Sequence, residues 1–145
     1  MKSRNLLRYG PATGNGLTAT VNTDGSLHIS GTPTAQWGGI RWPQELTVFA
    51  GRTLRISSSV SGTSPGLNVV FDIYDKDGTV EYLSGSQSKT VPADATSVQL
   101  RVQTTLATPE PMDFDLKVQV EEGVSATTWE KPDTTDYLGG VGVRS

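Results

Sequence analysis

The single histidine, His28, lies in "SLHIS" (Ser26 to Ser30), and any Ser-His-Asp relay in this chain has to use it. No G-x-S-x-G elbow surrounds any serine. Alternation puts Leu27 and Ile29 on one face of an extended segment and His28 on the other, where an ordinary polar-face residue would sit. One histidine cannot build a His-rich metal site. Carboxylates are the remaining route to hydrolysis. A pair drawn from Asp72, Glu81, Asp113, Asp115 and Glu121 would suit glycoside cleavage. A chain this short and turn-rich leaves little material for a catalytic cleft, so no enzymatic activity is expected. "DKDG" (Asp75 to Gly78) opens like an oxygen-ligand calcium loop but lacks the bidentate Glu at the required distance. Gly78 is equally explained by a hairpin turn. No metal site is expected, and Asp75 and Asp77 are the candidates if one exists.

Binding asks for different residues. A sugar site needs aromatic plates for the apolar face of a ring and planar polar groups for its hydroxyls. Trp37, Trp42 and Tyr82 could be the plates. The polar positions of the alternating segments carry Arg55, Asn68, Asp72, Tyr74, Gln99, Arg101, Gln103, Lys117 and Gln119. From these, Trp37, Trp42, Arg55, Asp72, Tyr74, Tyr82, Arg101 and Gln103 are selected as glycan-binding or interface residues. The same residues also suit a solvated face or a subunit contact, and Trp37 and Trp42 also suit a plug at the end of the fold. Arg, Trp and Tyr are the types enriched where proteins meet.

The elements that must position them are strands. Helical periodicity is nearly absent, and period-two alternation recurs between Gly, Asp, Pro and Ser clusters. "LTATV", "NTDG" and "SLHIS" read as a hairpin around Gly25. "TLRISSSV", "LNVVFDIYD", "SVQLRVQT" and "DFDLKVQVE" each have one apolar and one polar face. Roughly eight to ten short strands are expected, with a turn signal about every 8–12 residues. Strands with one apolar face pair into antiparallel sheets covered on one side, and two such sheets make a sandwich. The chain has the length of one domain, with 145 residues of which 34% are hydrophobic, so its core is lean. Sixteen glycines and eight prolines fit many turns. A net charge of -3 argues against a nucleic-acid partner. The absence of cysteine removes disulfides, thiolate metal sites and Cys nucleophiles. No apolar run is long enough to span a bilayer, and "MKSRNLLRYGPATG" lacks the apolar stretch of a signal peptide.

The order of motifs carries a resemblance. "NLL" (Asn5 to Leu7) is followed by "GLTATVNTDGSLHISGT", then "ELTVFAGRTLRISSSVSG", and the chain closes on "DLKVQVEEGVSATTWEKPD". This resembles the jelly-roll modules of bacteriophage tail and other virion proteins. Gln119, Glu121, Gly123, Ala126, Thr127, Trp129 and Pro132 match their closing signature, with Pro132 slightly late. The resemblance spans residues 5–133 and implies an all-β, antiparallel jelly-roll β-sandwich with extended N- and C-terminal arms: arm 1–14, sandwich 15–132, glycine-rich arm 133–145. It implies a structural virion component, on the tail or decorating the capsid, made in the host cytoplasm without a signal peptide. Its partners would be other virion proteins, further copies of itself and host cell-surface glycans, with no membrane and no nucleic acid. Neighbouring subunits would order the arms. No cofactor is implied, although related jelly rolls often carry a structural calcium. Similar β-sandwiches also serve as carbohydrate-binding modules of secreted glycosidases, which is the alternative function. In this reading Glu121 and Glu122 end a strand rather than catalyse, Gly123 turns the chain, and Trp129 packs back on the sandwich edge.

Overall fold

The computed structural model describes residues 2–85 and 87–143; Met1, Arg144 and Ser145, the outermost residues of the two arms, lie outside the described residues. The strands are β1 (Ala12–Gly14), β2 (Leu17–Val21), β3 (Leu27–Gly31), β4 (Gly39–Pro43), β5 (Thr53–Thr63), β6 (Leu67–Tyr74), β7 (Val80–Ser84), β8 (Ser88–Thr90), β9 (Ser97–Thr104), β10 (Met112–Glu122) and β11 (Val141–Val143). A single helical turn, α1 (Leu46–Phe49), follows β4. Six strands form one sheet in the order β1-β2-β3-β10-β5-β8, and five form the other in the order β11-β4-β9-β6-β7. Every pairing between these strands is antiparallel, which gives the expected jelly-roll β-sandwich.

Alternation explains the layering. Leu116, Val118 and Val120 of β10 face inward between β3 and β5, as their spacing predicts, and are fully buried. Phe71 and Ile73 of β6 and Leu100 and Val102 of β9 meet them from the other sheet. Burying each such side chain contributes about 1.5–3 kcal/mol. The β2–β3 hairpin turns where expected. Gly25 adopts φ 90°, its amide donates to the Asn22 carbonyl at 2.9 Å, and the Asp24 carboxylate accepts from the Ser26 amide and hydroxyl.

The terminal segments are extended but folded back along the sandwich. Leu7 and Tyr9 are buried, Arg8 forms a parallel bridge with Thr134, and the Tyr137 amide donates to the Tyr9 carbonyl. β1 joins one sheet and β11 the other. The two terminal segments therefore contact each other within the chain and extend the two sheets. The Tyr9 hydroxyl donates to the Gly25 carbonyl at 2.7 Å, and its burial, with the Asp24 carboxylate nearby, pushes its pKa up.

The closing signature is a clasp. Glu121 is buried, and its carboxylate accepts from the Gln119 amide, the Thr127 hydroxyl and the Thr127 backbone N–H. Gln119 Oε1 accepts the Glu130 amide, and Trp129 Nε1 donates to the Val118 carbonyl at 3.1 Å. Asn5 threads the same seam. Its side-chain amide donates to the carbonyls of Val118 and Glu130, and its Oδ1 accepts from the Val120 and Leu7 amides. Gly123 turns the strand at φ 118°.

Burial pushes the Glu121 carboxyl up, but the hydrogen bonds from Gln119 and Thr127 outweigh it and hold it below its ordinary value. An unfolded chain therefore binds this proton more readily than the folded one. The stabilisation is complete above the unfolded pKa of about 4.3 and is lost as pH falls through the folded value. Glu121→Ala should cost about 1–3 kcal/mol at pH 7 by orphaning the clasp donors. Glu121→Gln should flatten the acid limb of stability against pH. Urea unfolding between pH 7 and pH 3 checks both, and an unchanged acid slope in Glu121→Gln would refute the clasp.

Candidate functional site

The outer face of the five-stranded sheet is built by alternation on four neighbouring strands. β9 presents Gln99, Arg101 and Gln103; β6 presents Asn68, Val70, Asp72 and Tyr74; β7 presents Tyr82 and Ser84; β4 presents Gly39 and Arg41. Register aligns them in rows. Asp72 lies between Gln99 and Tyr82, and Val70 between Arg101 and Ser84.

Asp72 anchors this face. It is 1% exposed and accepts a bidentate pair from Arg101, with Nε at 2.8 Å and Nη2 at 2.8 Å, plus the Gln99 amide at 2.7 Å. A carboxylate carrying two charge-assisted bonds fixes the guanidinium plane. Arg101 Nη1 donates onward to Gln103 Oε1, and its guanidinium lies 5.6 Å from the Tyr82 ring centroid. Burial works against the Arg101 charge, yet Asp72 holds its pKa above the ordinary value. Burial and the Asp72 carboxylate also push the Tyr74 phenol up, against the pull of Arg101 and Arg41.

Above this floor is a cleft of about 530 Å3 lined by Trp37, Asn68, Val70, Tyr82, Ser84, Arg101 and Gln103. Its two aromatic walls are open, Trp37 39% and Tyr82 50% exposed. Trp37 sits in the left-handed region at φ 65°. For a bulky side chain that conformation costs roughly 1–3 kcal/mol and needs the surroundings to impose it. The surroundings are Trp37 N–H to the Thr104 carbonyl, Thr104 N–H to the Gly38 carbonyl and the Gln36 amide to the Thr105 carbonyl. Gly39 seats this loop against β9, because a Cβ there would stand 2.0 Å from the Val102 carbonyl oxygen. A strained backbone thus holds an indole outside the core.

No protein-family model matches the chain, and no curated protein matches it. Solved structures do. The C-terminal family 22 carbohydrate-binding module of Clostridium thermocellum Xyn10B superposes with a TM-score of 0.56 at 17% identity, over 82% of this chain and 87% of that one. The CBM22-1 xylan-binding domain of Paenibacillus barcinonensis Xyn10C gives 0.50 at 18%, over 86% and 94%. A chain from the crystal structure of accessory secretory proteins 1, 2 and 3 in Streptococcus pneumoniae gives 0.55 at 14%, over 85% and 99%. The chain shares the β-sandwich fold of carbohydrate-binding modules.

Of the residues selected from sequence, Trp37, Tyr82, Arg101 and Gln103 line the cleft, Asp72 lies beneath it, and Tyr74 shares the face beyond its lining. Two are elsewhere. Trp42 is 0% exposed in the core, because alternation on β4 turns it inward with Ile40. Arg55 is on β5 of the other sheet, where Nη1 donates to the Val124 carbonyl and Nε is buried without a partner. Lys117 and Gln119 share that second sheet. Parity along a strand gives the face but not the sheet, so outward residues of similar type lie on two separate surfaces. Ser84 and Arg41 were missed, although their alternation with Leu83 and Trp42 was in plain view.

Asp75, His28, Asp113 and Asp115 have local partners. Asp75 Oδ1 accepts the Asp77 and Thr79 amides at 2.9 Å, which makes it the cap of the β6–β7 turn. His28 bridges Asp115 through Nδ1 at 2.8 Å and Asp113 through Nε2 at 3.0 Å on the outer face of the six-stranded sheet. Its hydrogen bond and that of Asn22 hold the Asp115 carboxyl below its ordinary value.

Proposed function

We propose that this chain is a carbohydrate-binding domain that grips a glycan in the cleft of the five-stranded sheet and catalyses nothing. The observation that carries this is the pairing of exposed Trp37 and Tyr82 over a polar floor of Arg101, Gln103 and Asn68. A sugar ring offers an apolar C–H face and a rim of hydroxyls. Indole and phenol rings cover the first, and guanidinium and amide groups satisfy the second with planar, directional bonds. Preorganisation supports the same reading. Asp72 holds Arg101, and the backbone at residues 36–39 holds Trp37, so little ordering remains for binding to drive.

A virion role, with other virion proteins and further copies as partners, rests on the closing signature, and that signature is engaged in the clasp at Gln119, Glu121 and Trp129. It stands second to glycan binding, and the two are compatible in a particle-borne module.

Trp37→Ala and Tyr82→Ala should each weaken binding at least tenfold, about 1.4 kcal/mol. Both rings are exposed, so thermal midpoints should move by no more than a few degrees. Affinity electrophoresis through gels containing soluble xylan, β-glucan, mannan or pectin measures this. Retardation of the wild type that survives in both variants would refute the cleft assignment, and no retardation in any gel would count against glycan binding.

A further inference from the structure

We propose that the cleft selects an acidic glycan, one bearing a carboxylate or a sulfate, and that Arg41 meets its charge; this deepens, and rests on, the glycan reading above. Register places Arg41 directly opposite Arg101 on adjacent strands. Like charges in that position are unfavourable unless something compensates them. Asp72 compensates only one, since its bidentate bond goes to Arg101 and its remaining bond goes to the Gln99 amide. Arg41 has no carboxylate within ion-pair distance among the described residues. Among the described residues its guanidinium makes one hydrogen bond, from Nη1 to Gln99 Oε1 at 3.1 Å.

Four of the five guanidinium N–H donors of Arg41 therefore meet no protein acceptor among the described residues. Gln99 joins the two halves, its amide donating to Asp72 and its oxygen accepting from Arg41, so Arg41 is held in place without being neutralised. Alternation on β4, β6, β7 and β9 brings no other charged side chain to this face. Among the described residues of these four strands the face thus carries one uncompensated positive charge, in a chain whose net charge is -3.

The position suits a substituent on a bound sugar. Neighbouring strands are about 4.8 Å apart, so a ring seated over Arg101 has Arg41 one strand spacing to its side. A carboxylate or sulfate directed towards β4 reaches a planar fork with free donors. A single unpaired guanidinium beside aromatic walls does not make the extended basic track of a nucleic-acid site.

The test uses matched pairs that differ only in charge: polygalacturonate against its methyl ester, dextran sulfate against dextran, and sialyllactose against lactose. Titration calorimetry on the full chain should show at least one acidic member bound tenfold or more tightly than its neutral counterpart. That preference should shrink between 50 mM and 300 mM salt, as screening requires. Arg41→Gln should bring the ratio close to one, and Arg41→Lys should restore part of it. A purely structural Arg41 would shift the melting temperature without changing the ratio. Equal binding of both members of every pair overturns the charge preference and leaves glycan binding intact. A preference that persists in Arg41→Gln overturns the role of Arg41. No binding to any acidic or neutral glycan overturns both readings. The pair that responds identifies the anion.

Discussion

Replacing Asp72 with Ala is expected to destabilise the protein by about 3–5 kcal/mol and to abolish glycan binding. The stability loss follows from what remains. Asp72 is 1% exposed and accepts three bonds, so its removal strands the Arg101 guanidinium, whose side chain is 16% exposed, and the Gln99 amide. Arg101 cannot escape by deprotonating. The binding loss follows from position, since Asp72 sets the guanidinium plane on which Gln103 and Tyr82 also depend. A thermal midpoint lower by about 10 °C is the calorimetric signature. Replacing Asp72 and Arg101 together with Leu separates the two roles. Removing both charges restores most of the stability, because a well-packed apolar pair often matches a buried ion pair, while binding stays lost. Wild-type stability in Asp72→Ala would mean that Arg101 has another way to be solvated and that the floor of the cleft is not preorganised.

The strands were legible because each buries one face. Leu116, Val118 and Val120 alternate strictly with Asp115, Lys117 and Gln119, and the inward set is the core. The closing signature was legible as an ending but not as a clasp. Glu121 is a buried acceptor because Thr127 folds back on it, a role that residue type alone does not reveal, and the Val120 contact to Asn5 spans 115 residues, which no local pattern encodes. The cleft was half legible. Parity on β6 and β9 puts Asp72, Arg101 and Gln103 on the outer face. The aromatic type of Trp42 suits a sugar plate, but its parity with Ile40 points it into the core. Arg55 has outward parity on the other sheet. Sheet membership depends on which strands pair at long range, and one strand carries no record of its partner.

Trp42 is where the two expectations for an aromatic residue separate most sharply. As a sugar plate, its loss would abolish binding and leave stability alone; as a core residue it does the reverse. The indole is 0% exposed, packs edge-on to Tyr9 at 6.5 Å, and donates from Nε1 to the Gly10 carbonyl at 3.0 Å. Gly140 presses on it from the C-terminal segment, where a Cβ would lie 2.5 Å from Nε1 and 2.6 Å from the Ala12 Cβ. Trp42→Ala should therefore cost about 3–5 kcal/mol, from lost burial and the cavity left between the sheets. Trp42→Phe should cost about 1–3 kcal/mol, chiefly because the Gly10 carbonyl loses its donor, and its folded fraction should still bind glycan. Gly140→Ala should destabilise through overpacking, by about 1–3 kcal/mol, without touching the cleft. Because Trp42 is the surface on which the two chain ends meet, Trp42→Ala should also expose the bonds after Arg4 and Arg8 to trypsin well before global unfolding. Urea titration and timed proteolysis read these effects separately. Wild-type stability with lost glycan binding in Trp42→Phe would return Trp42 to the binding face and remove the seam that ties both ends of the chain to the sandwich.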